Sequence, residues 1–338
     1  MAANFQQEIQ QKQRQQLHMT VFCQCFSPCG KFLVEANNFG KIAVFSLVSA
    51  LSPDALEDNR KPILTFEGNS GSIYTLIATE KFLICGGEGS INAWSWSDIY
   101  KKTPKVVWSL DNSSSLNFDQ PETNSLCFSE KDNILYSASG DNNVYVWDLE
   151  TGTRKDKLQG HTDYVHCLTF RNNCQEVISG SEDGSVRVWD TRRPREAVHV
   201  IEPYKSEECS RPNLGKWIGC VAVDPSDDWL ICGGGPSLTS WHMRSLSPTA
   251  VFSTPNICQQ SVLFHEDMVI SGGTSAHIYH WNINGDLRSS IPCTQSCVYD
   301  IGINTHSENY KVLAACGSSY KVDIFTNFGY RAFSLVFS

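Results

Sequence analysis

The sequence predicts an all-β protein, a seven-bladed β-propeller that follows a short N-terminal leader. Three observations support this prediction. Seven segments repeat one pattern, successive repeats lie about 47 residues apart, and apolar residues within each repeat alternate with period two. Helical repeats are disfavoured because the segments are rich in Val, Ile and Tyr, which prefer strands. The 338 residues are therefore predicted to form one repetitive domain after the leader.

Each repeat contains an apolar run, one or more small residues, a tight turn and a second apolar run that ends in an aromatic residue. The closing aromatic residues are Phe45, Trp94, Trp147, Trp189, Trp241, Trp281 and Phe325. They are separated by 40 to 53 residues, which agrees with a four-stranded blade of roughly 40–45 residues that is lengthened by insertions. The repeats therefore predict seven blades of four strands each.

The fourth repeat indicates its four strands most clearly. They are expected at about residues 164–170, 175–180, 185–190 and 196–201, because the turn between the second and third contains Asp and Gly, which tolerate a positive φ. The first and last repeats also supply four strands each. We therefore expect the ring to close by packing of complete blades, without a strand shared between the two ends of the chain.

The propeller is expected to occupy residues 19–338, and a Gln-rich leader occupies residues 1–18. A helix in the leader would place Phe5, Ile9 and Leu17 along one side. Such a short helix is marginally stable in water on its own. The leader is therefore expected either to dock as a helix on the propeller rim or on a partner, or to be disordered.

Composition excludes several classes of protein. Charged residues make up 19% of the chain and the net charge is −9, which disfavours binding of nucleic acid through overall charge but permits a local basic patch. No apolar run approaches the ~18 residues of a membrane helix, so no membrane contact is expected. The start of the chain does not resemble a secretory signal, and the 14 cysteines are expected to be reduced, mostly buried thiols.

The segment from Leu158 to Asp190 resembles a WD repeat, because it carries Gly-His, Asp, Ser, Asp and Trp-Asp at the spacing of that family. The resemblance implies a hydrogen-bonded set that joins the three inner strands of the blade. This tetrad consists of His161, Ser179, Asp183 and Trp189. We interpret the tetrad as structural, because a hydrolase triad needs an exposed nucleophile beside a pocket. No catalytic residue and no cofactor is predicted.

Over essentially its whole length the chain is similar to the WD-repeat subunits of the THO complex. The similarity runs from the Gln-rich start through the turn at 26–31 and the blade that contains Gly160-His161 and the run from Val188 to Arg193, and it continues to the C-terminus. It implies a non-enzymatic scaffold in the nucleus, including nuclear speckles, within the assembly that couples transcription, mRNA processing and splicing to mRNA export. The implied partners are other THO complex subunits, notably their coiled-coil pair, with weak or indirect RNA contact and no small-molecule substrate.

Nine basic residues fall at corresponding edges of three adjacent repeats, where the third strand leads to the fourth. This basic arc consists of Lys101, Lys102, Lys105, Arg154, Lys155, Lys157, Arg192, Arg193 and Arg195. On one face of a propeller, such an arc is expected to pair with the phosphates of RNA or with the carboxylates of an acidic partner segment. The alternative is that these residues lie in ordinary solvated turns, whose neighbouring Asp and Glu residues dilute the field.

The same stretch supports a second function. The sequence Trp189-Asp190-Thr191-Arg192 resembles the Trp-Asp-x-Arg signature of WD-repeat substrate receptors that dock on cullin-based ubiquitin ligases. A receptor of this kind is therefore the alternative to a THO complex scaffold.

Three predicted connections are longer than the usual ~4–6 residues. Residues 50–61 lie inside the first blade, and residues 111–122 and 202–216 join blades two to three and four to five. The last two are expected on one face and the first on the opposite face. They are either solvated loops or partner-binding loops. In the second case, deletion of 202–216 is expected to abolish a subunit contact with little change in thermal stability.

Two further patterns are interpreted as structural. Cys23, Cys25 and Cys29 lack the second ligand pair of a zinc site, so no metal is predicted. The glycines at 233–235 lack the Lys-Ser/Thr of a phosphate loop, and we expect them near the crowded propeller axis.

Overall fold

A computed structural model describes residues 14–111, 121–193 and 195–337. These residues form seven antiparallel sheets of four strands each. The innermost strand of every sheet contacts the innermost strand of the next, and the first contacts the last, so that the sheets form the blades of a closed ring. The predicted seven-bladed propeller is therefore confirmed. No helix in the described ranges is long and apolar enough to cross a membrane.

Within each blade the strands follow chain order from the central channel to the rim. The first three blades contain β1 (Val21–Phe26), β2 (Phe32–Asn37), β3 (Lys41–Ser46) and β4 (Leu64–Glu67); β5 (Ile73–Ala78), β6 (Phe82–Gly87), β7 (Ile91–Ser95) and β8 (Val106–Leu110); and β9 (Thr123–Ser129), β10 (Ile134–Ser139), β11 (Asn143–Asp148) and β12 (Thr153–Gln159). The fourth blade contains β13 (Val165–Arg171), β14 (Glu176–Ser181), β15 (Val186–Asp190) and β16 (His199–Ile201). Its strands begin and end within three residues of the predicted positions.

The remaining blades follow the same order. They contain β17 (Ile218–Val223), β18 (Trp229–Gly234), β19 (Leu238–His242) and β20 (Ser247–Phe252); β21 (Gln259–His265), β22 (Met268–Gly273), β23 (His277–Asn282) and β24 (Leu287–Pro292); and β25 (Val298–Ile303), β26 (Leu313–Gly317), β27 (Lys321–Phe325) and β28 (Phe333–Val336). Short helices lie in the connections: α1 (Leu47–Ala50), α2 (Trp96–Tyr100) and 3₁₀ turns at Glu57–Arg60, Pro203–Lys205, Pro212–Leu214 and Glu308–Tyr310. The hydroxyls of Ser46 and Ser95 cap α1 and α2 by accepting bonds from backbone N–H groups.

The core is divided into seven apolar clusters, one between each pair of neighbouring blades. Each closing aromatic residue lies in the cluster shared with the preceding blade, and Phe45 joins blade one to blade seven. All seven of these side chains are at most 5% exposed. The repeated Trp or Phe therefore stabilises the contact between successive blades, because a large aromatic surface is buried there.

The ring closes without a shared strand, as predicted, because blades one and seven each contain four strands of their own. Buried polar contacts join the two blades across this seam. The Gln24 side-chain amide donates to the carbonyl oxygens of Asp300 (3.3 Å) and Ala314 (2.9 Å), and the Gln24 backbone N–H donates to the Asp300 carboxylate (3.0 Å). The Asn304 amide donates to the Gly30 carbonyl (2.8 Å). The seam is therefore held by hydrogen bonds in addition to apolar packing.

Only the end of the predicted leader lies among the described residues. Residues 14–17 form one helical turn, in which Leu17 is largely exposed. The Asn38 side chain donates to the His18 carbonyl and connects this turn to the first blade. Phe5 and Ile9 lie outside the described residues, as does most of the predicted insertion at 111–122.

Candidate functional site

The four tetrad residues come together in blade four, near the turn that joins its second and third strands. His161 precedes β13, Ser179 lies on β14, Asp183 follows β14 in the turn, and Trp189 lies on β15. Imidazole Nδ1 is 2.8 Å from the Asp183 carboxylate and Nε2 is 2.7 Å from the Ser179 hydroxyl. The indole N–H of Trp189 donates to the same hydroxyl at 2.9 Å. One hydrogen-bonded chain thus joins β14, β15, the turn between them and the segment that precedes β13.

Burial and hydrogen bonding fix the charges of this tetrad. Burial lowers the pKa of His161 below its ordinary value, although the hydrogen bond to Asp183 acts in the opposite direction. Burial alone would raise the pKa of Asp183, but hydrogen bonds from His161 and Ser185 outweigh it and lower that pKa. A neutral imidazole that donates from Nδ1 to a carboxylate and accepts at Nε2 from Ser179 satisfies every partner. Because Ser179 is fully buried, we interpret the tetrad as a group that stabilises the blade.

The other blades keep parts of this chain. Trp147 and Trp281 donate to Ser137 (2.8 Å) and Ser271 (3.0 Å). At the corresponding register the remaining blades carry other residues: Glu35, Cys85, Cys232 and Ala315. Blade four has the most complete set of buried polar contacts, so we expect its inner strands to exchange their amide protons most slowly.

The structure places six of the nine residues of the basic arc on the face formed by the connections between first and second and between third and fourth strands. Lys101, Lys102 and Lys105 lie between α2 and β8, and the three arginines that begin at Arg192 lie between β15 and β16. The blade-three members differ from the prediction. Arg154, Lys155 and Lys157 lie within β12 on the outer rim, because a short turn at 149–152 ends before them.

Two members of the arc already have partners. The Arg192 guanidinium makes two hydrogen bonds of 2.8 Å to the Asp190 carboxylate. The Arg154 guanidinium lies 4.9 Å from the Tyr145 ring centre, within cation–π distance. Arg192 is also the arginine of the Trp-Asp-x-Arg sequence that suggested the ubiquitin-ligase alternative, and its guanidinium is bound to Asp190.

The outer strands beside the arc expose apolar side chains. On β8 and on the segment that leads through β16, four valines are each about half exposed: Val106, Val107, Val198 and Val200. Blades two and four carry these valines, and blade three between them carries the basic residues of β12. We call the basic arc together with these four valines the rim surface. It combines positive charge with apolar area.

The insertion at 202–216 is anchored to the propeller instead of extending into solvent. The Arg211 guanidinium donates to five backbone carbonyls, at 2.8 to 2.9 Å. These carbonyls belong to Gly234, Gly235, Pro236, Thr254 and Ile257. Cys209 is fully buried in the core cluster between blades four and five. The expectation that deletion of this segment leaves stability nearly unchanged is therefore wrong, because deletion removes core and anchor together.

Replacing Arg211 by alanine is expected to lower the free energy of unfolding by about 2–4 kcal/mol, since several carbonyls lose a charged donor. Arg211→Lys should be nearly as harmful, because one ammonium group cannot reach five acceptors. Urea unfolding checks the effect. The exposed Arg244, in the β19–β20 turn, is the control, and Arg244→Ala is expected to change stability by less than about 0.5 kcal/mol. Equal losses for both alanine variants would contradict this anchoring role.

Several residues were placed or missed for physical reasons. Of the glycines at 233–235, only Gly235 packs against the insertion, where a Cβ would lie 2.4 Å from the Gly215 carbonyl oxygen. A Cβ on Gly234 would lie 2.7 Å from the backbone nitrogen of Gly219 on the innermost strand β17, and one on Gly233 would meet Leu238 of the same blade. Arg211 gave no signal in the sequence, because its acceptors are backbone atoms.

In the described ranges, no group of three or more His, Cys, Asp or Glu side chains could hold a metal ion. All 14 cysteines are free thiols.

Comparison with known proteins places the chain in a family. The model of the WD domain, G-beta repeat matches residues 104–148 and 152–190. The chain is 47% identical to the THO complex subunit 6 homolog of Danio rerio over 95% of the chain and 98% of that protein. It is 46% identical to THO complex subunit 6 of Homo sapiens over 96% and 94%. It is 25% identical to the Arabidopsis thaliana protein of that name over 94% and 92%. These relatives give the ubiquitin-ligase alternative no support. The chain belongs to the THO complex subunit 6 family of WD-repeat proteins.

Proposed function

We propose that this protein is a non-enzymatic scaffold subunit of a THO complex. The proposal is supported by the names of its relatives, which match almost the whole chain, and by a surface suited to protein contacts. Its best-formed polar cluster, the tetrad, is buried and satisfied, so it supplies cohesion. Function is assigned instead to loops and rims that the rigid blades hold in place.

The rim surface is the observation that carries the proposal. The exposed valines lie on β8 and at β16, in the two blades that flank the blade of the basic strand β12. A helix that offers both acidic and apolar side chains complements such a surface, because carboxylates pair with Lys and Arg while apolar residues cover the valines. We assign it to a partner of this chemistry, the coiled-coil pair of other THO subunits. An RNA strand offers phosphates for the cations, but its bases stack best on aromatic rings, which the four valines do not supply.

The scaffold is assigned to the nucleus, including nuclear speckles, where it connects transcription and mRNA processing, including splicing, to mRNA export. Contact with RNA is weak or indirect in this account, because a net charge of −9 opposes binding of a polyanion. No cofactor, small-molecule substrate or membrane enters the proposed role.

Charge reversal on the arc tests this role. The tagged variant Arg193→Glu/Arg195→Glu is expected to recover about tenfold less of the other THO subunits from nuclear extract, because acidic partners are repelled. Quantitative mass spectrometry of the recovered proteins measures the effect. These two arginines are chosen because Arg192 is already paired with Asp190.

Lys31→Glu/Arg244→Glu is the matched control. Both residues are exposed on the same face, in the first connection of blade one and in the β19–β20 turn, and the charge change is equal. The control should recover the THO subunits as the wild type does. Equal recovery with the arc variant and with the control contradicts the assignment of the rim surface. Recovery of a cullin-ligase adaptor without THO subunits contradicts the scaffold role itself.

A further inference from the structure

The mouth of the central channel has a regular lining that plays no part in the proposed function. In all seven innermost strands the ladder is interrupted at the second residue, which forms a β-bulge. The seven bulge residues are Phe22, Tyr74, Asn124, His166, Gly219, Gln260 and Tyr299. All seven line one cavity of about 660 Å³. Bulges re-aim side chains, and here they create a funnel on the face opposite the arc.

Aromatic rings form much of this funnel. The Phe22 ring centre lies 5.4 Å from that of Tyr74 and 5.4 Å from that of Tyr299. On the other side, the Trp217 ring centre lies 6.4 Å from that of His166. Gly219 makes room for this indole, because a Cβ there would lie 2.4 Å from the Trp217 ring. The Trp217 N–H donates to the Leu214 carbonyl (3.2 Å), so the anchored insertion positions this ring.

Acceptor groups accompany the rings. Tyr74 donates its hydroxyl proton to the Glu88 carboxylate at 2.9 Å, and His166 Nε2 lies 2.8 Å from the carboxylate of Glu182, which lines the funnel. The funnel thus presents ring faces and carboxylates. Among the described residues that line it there is neither Lys nor Arg.

We propose that this funnel binds the guanidinium group of an arginine side chain carried by a partner polypeptide. A guanidinium stacks on aromatic faces and donates in its plane to carboxylate and amide oxygens. Glu182 in the lining and Glu88 at the Tyr74 hydroxyl supply carboxylate acceptors. The rings of Phe22, Tyr74 and Tyr299 supply stacking surface. Nucleic acid phosphates are repelled by the same carboxylates. The site lies on the opposite face from the rim surface, so it provides a contact independent of the proposed scaffold interface.

Calorimetric titration of the full chain tests the proposal. The probe is a Gly/Ser heptapeptide whose only charged side chain is a central arginine. It is compared with the same peptide in which citrulline replaces the arginine, because citrulline keeps the shape of the side chain and loses its charge. We expect the citrulline peptide to bind at least about tenfold more weakly, since it cannot pair with the carboxylates. The variant Glu88→Gln/Glu182→Gln should weaken the arginine peptide by a similar factor and leave the citrulline peptide unchanged.

Glu57→Gln/Glu308→Gln is the matched control, because both carboxylates are on the opposite face and the charge change is the same. It should bind the arginine peptide as the wild type does. Thermal unfolding of each variant verifies that the fold is retained, and Phe22→Leu, which keeps the carboxylates, provides a second test of stacking with an expected severalfold loss. Equal binding of arginine and citrulline peptides, or displacement of the arginine peptide by an oligouridylate, overturns the proposal.

Discussion

Replacing Asp183 by alanine is expected to lower the free energy of unfolding by about 3–5 kcal/mol, which is the usual cost of removing one partner from a buried charged network. The Asp183 carboxylate accepts hydrogen bonds from His161 Nδ1 (2.8 Å), the Thr162 N–H (3.0 Å) and both the N–H (2.8 Å) and the hydroxyl (2.6 Å) of Ser185. Alanine removes the acceptor of the buried donors of His161 and Ser185, whereas the Thr162 N–H is only partly buried. Denaturant unfolding measures the loss.

Asp141→Ala in blade three is the matched control. Asp141 has the same place in its blade and accepts from Tyr145 and Asn143, but it is only partly buried. We expect a loss of about 1 kcal/mol. Because the pKa of Asp183 is lowered in the folded protein, its contribution is present above pH ~4 and is lost as pH falls. The stability difference between wild type and Asp183→Ala should therefore shrink below pH ~4. A difference that grows on acidification would contradict this account.

Replacing Gln24 by alanine is expected to cost about 2–4 kcal/mol and to loosen the ring at one place. The Gln24 amide is the donor that crosses from blade one to the Asp300 and Ala314 carbonyls of blade seven. Its loss leaves both carbonyls buried without this donor. No shared strand compensates. Hydrogen exchange is expected to accelerate in β1 and β25 before global unfolding, because the seam opens as a local event.

Gln295→Ala separates seam opening from general destabilisation. Gln295 is also fully buried, and its amide also donates to two carbonyls, those of Ala315 (3.0 Å) and Lys321 (2.9 Å). Both acceptors belong to blade seven, so no seam is crossed. This variant should lose a similar amount of stability without selective exchange in β1. If both variants accelerate β1 equally, the seam has no special role.

Burial also makes this seam sensitive to pH. It raises the pKa of Asp300 to about 7, so the folded state holds a proton that the unfolded chain releases above pH ~4. This group therefore favours folding less as pH rises from about 4 to 7. The direction is opposite to that of Asp183, and the two contributions can be distinguished by the pH ranges in which they act.

The fold could be predicted because its signal is local and repeated. Period-two alternation and a closing aromatic residue recur in every blade, and each such aromatic residue packs in the same way against the preceding blade. The tetrad could be predicted through the resemblance to a WD repeat, because His161, Ser179, Asp183 and Trp189 stand at the spacing of that family. Closure by complete blades followed from counting strands at both ends of the chain.

The candidate surfaces were harder to predict because they depend on contacts distant in sequence. Arg211 acts through carbonyls up to 46 residues away, and Gln24 acts across 290 residues. The apolar part of the rim surface was missed because Val198 and Val200 read as ordinary strand residues. The funnel was missed because a bulge reverses the side to which a residue points. The signal was available: aligned repeats place an aromatic ring at the second strand position in Phe22, Tyr74 and Tyr299.

The most direct test of the scaffold account is purification of the tagged, full-length wild-type chain from nuclear extract with and without RNase, followed by quantitative mass spectrometry. The account predicts that other THO subunits are recovered in both samples in equal amounts, because protein contacts hold them. Loss of these subunits after RNase treatment, or their absence from both samples, would contradict it.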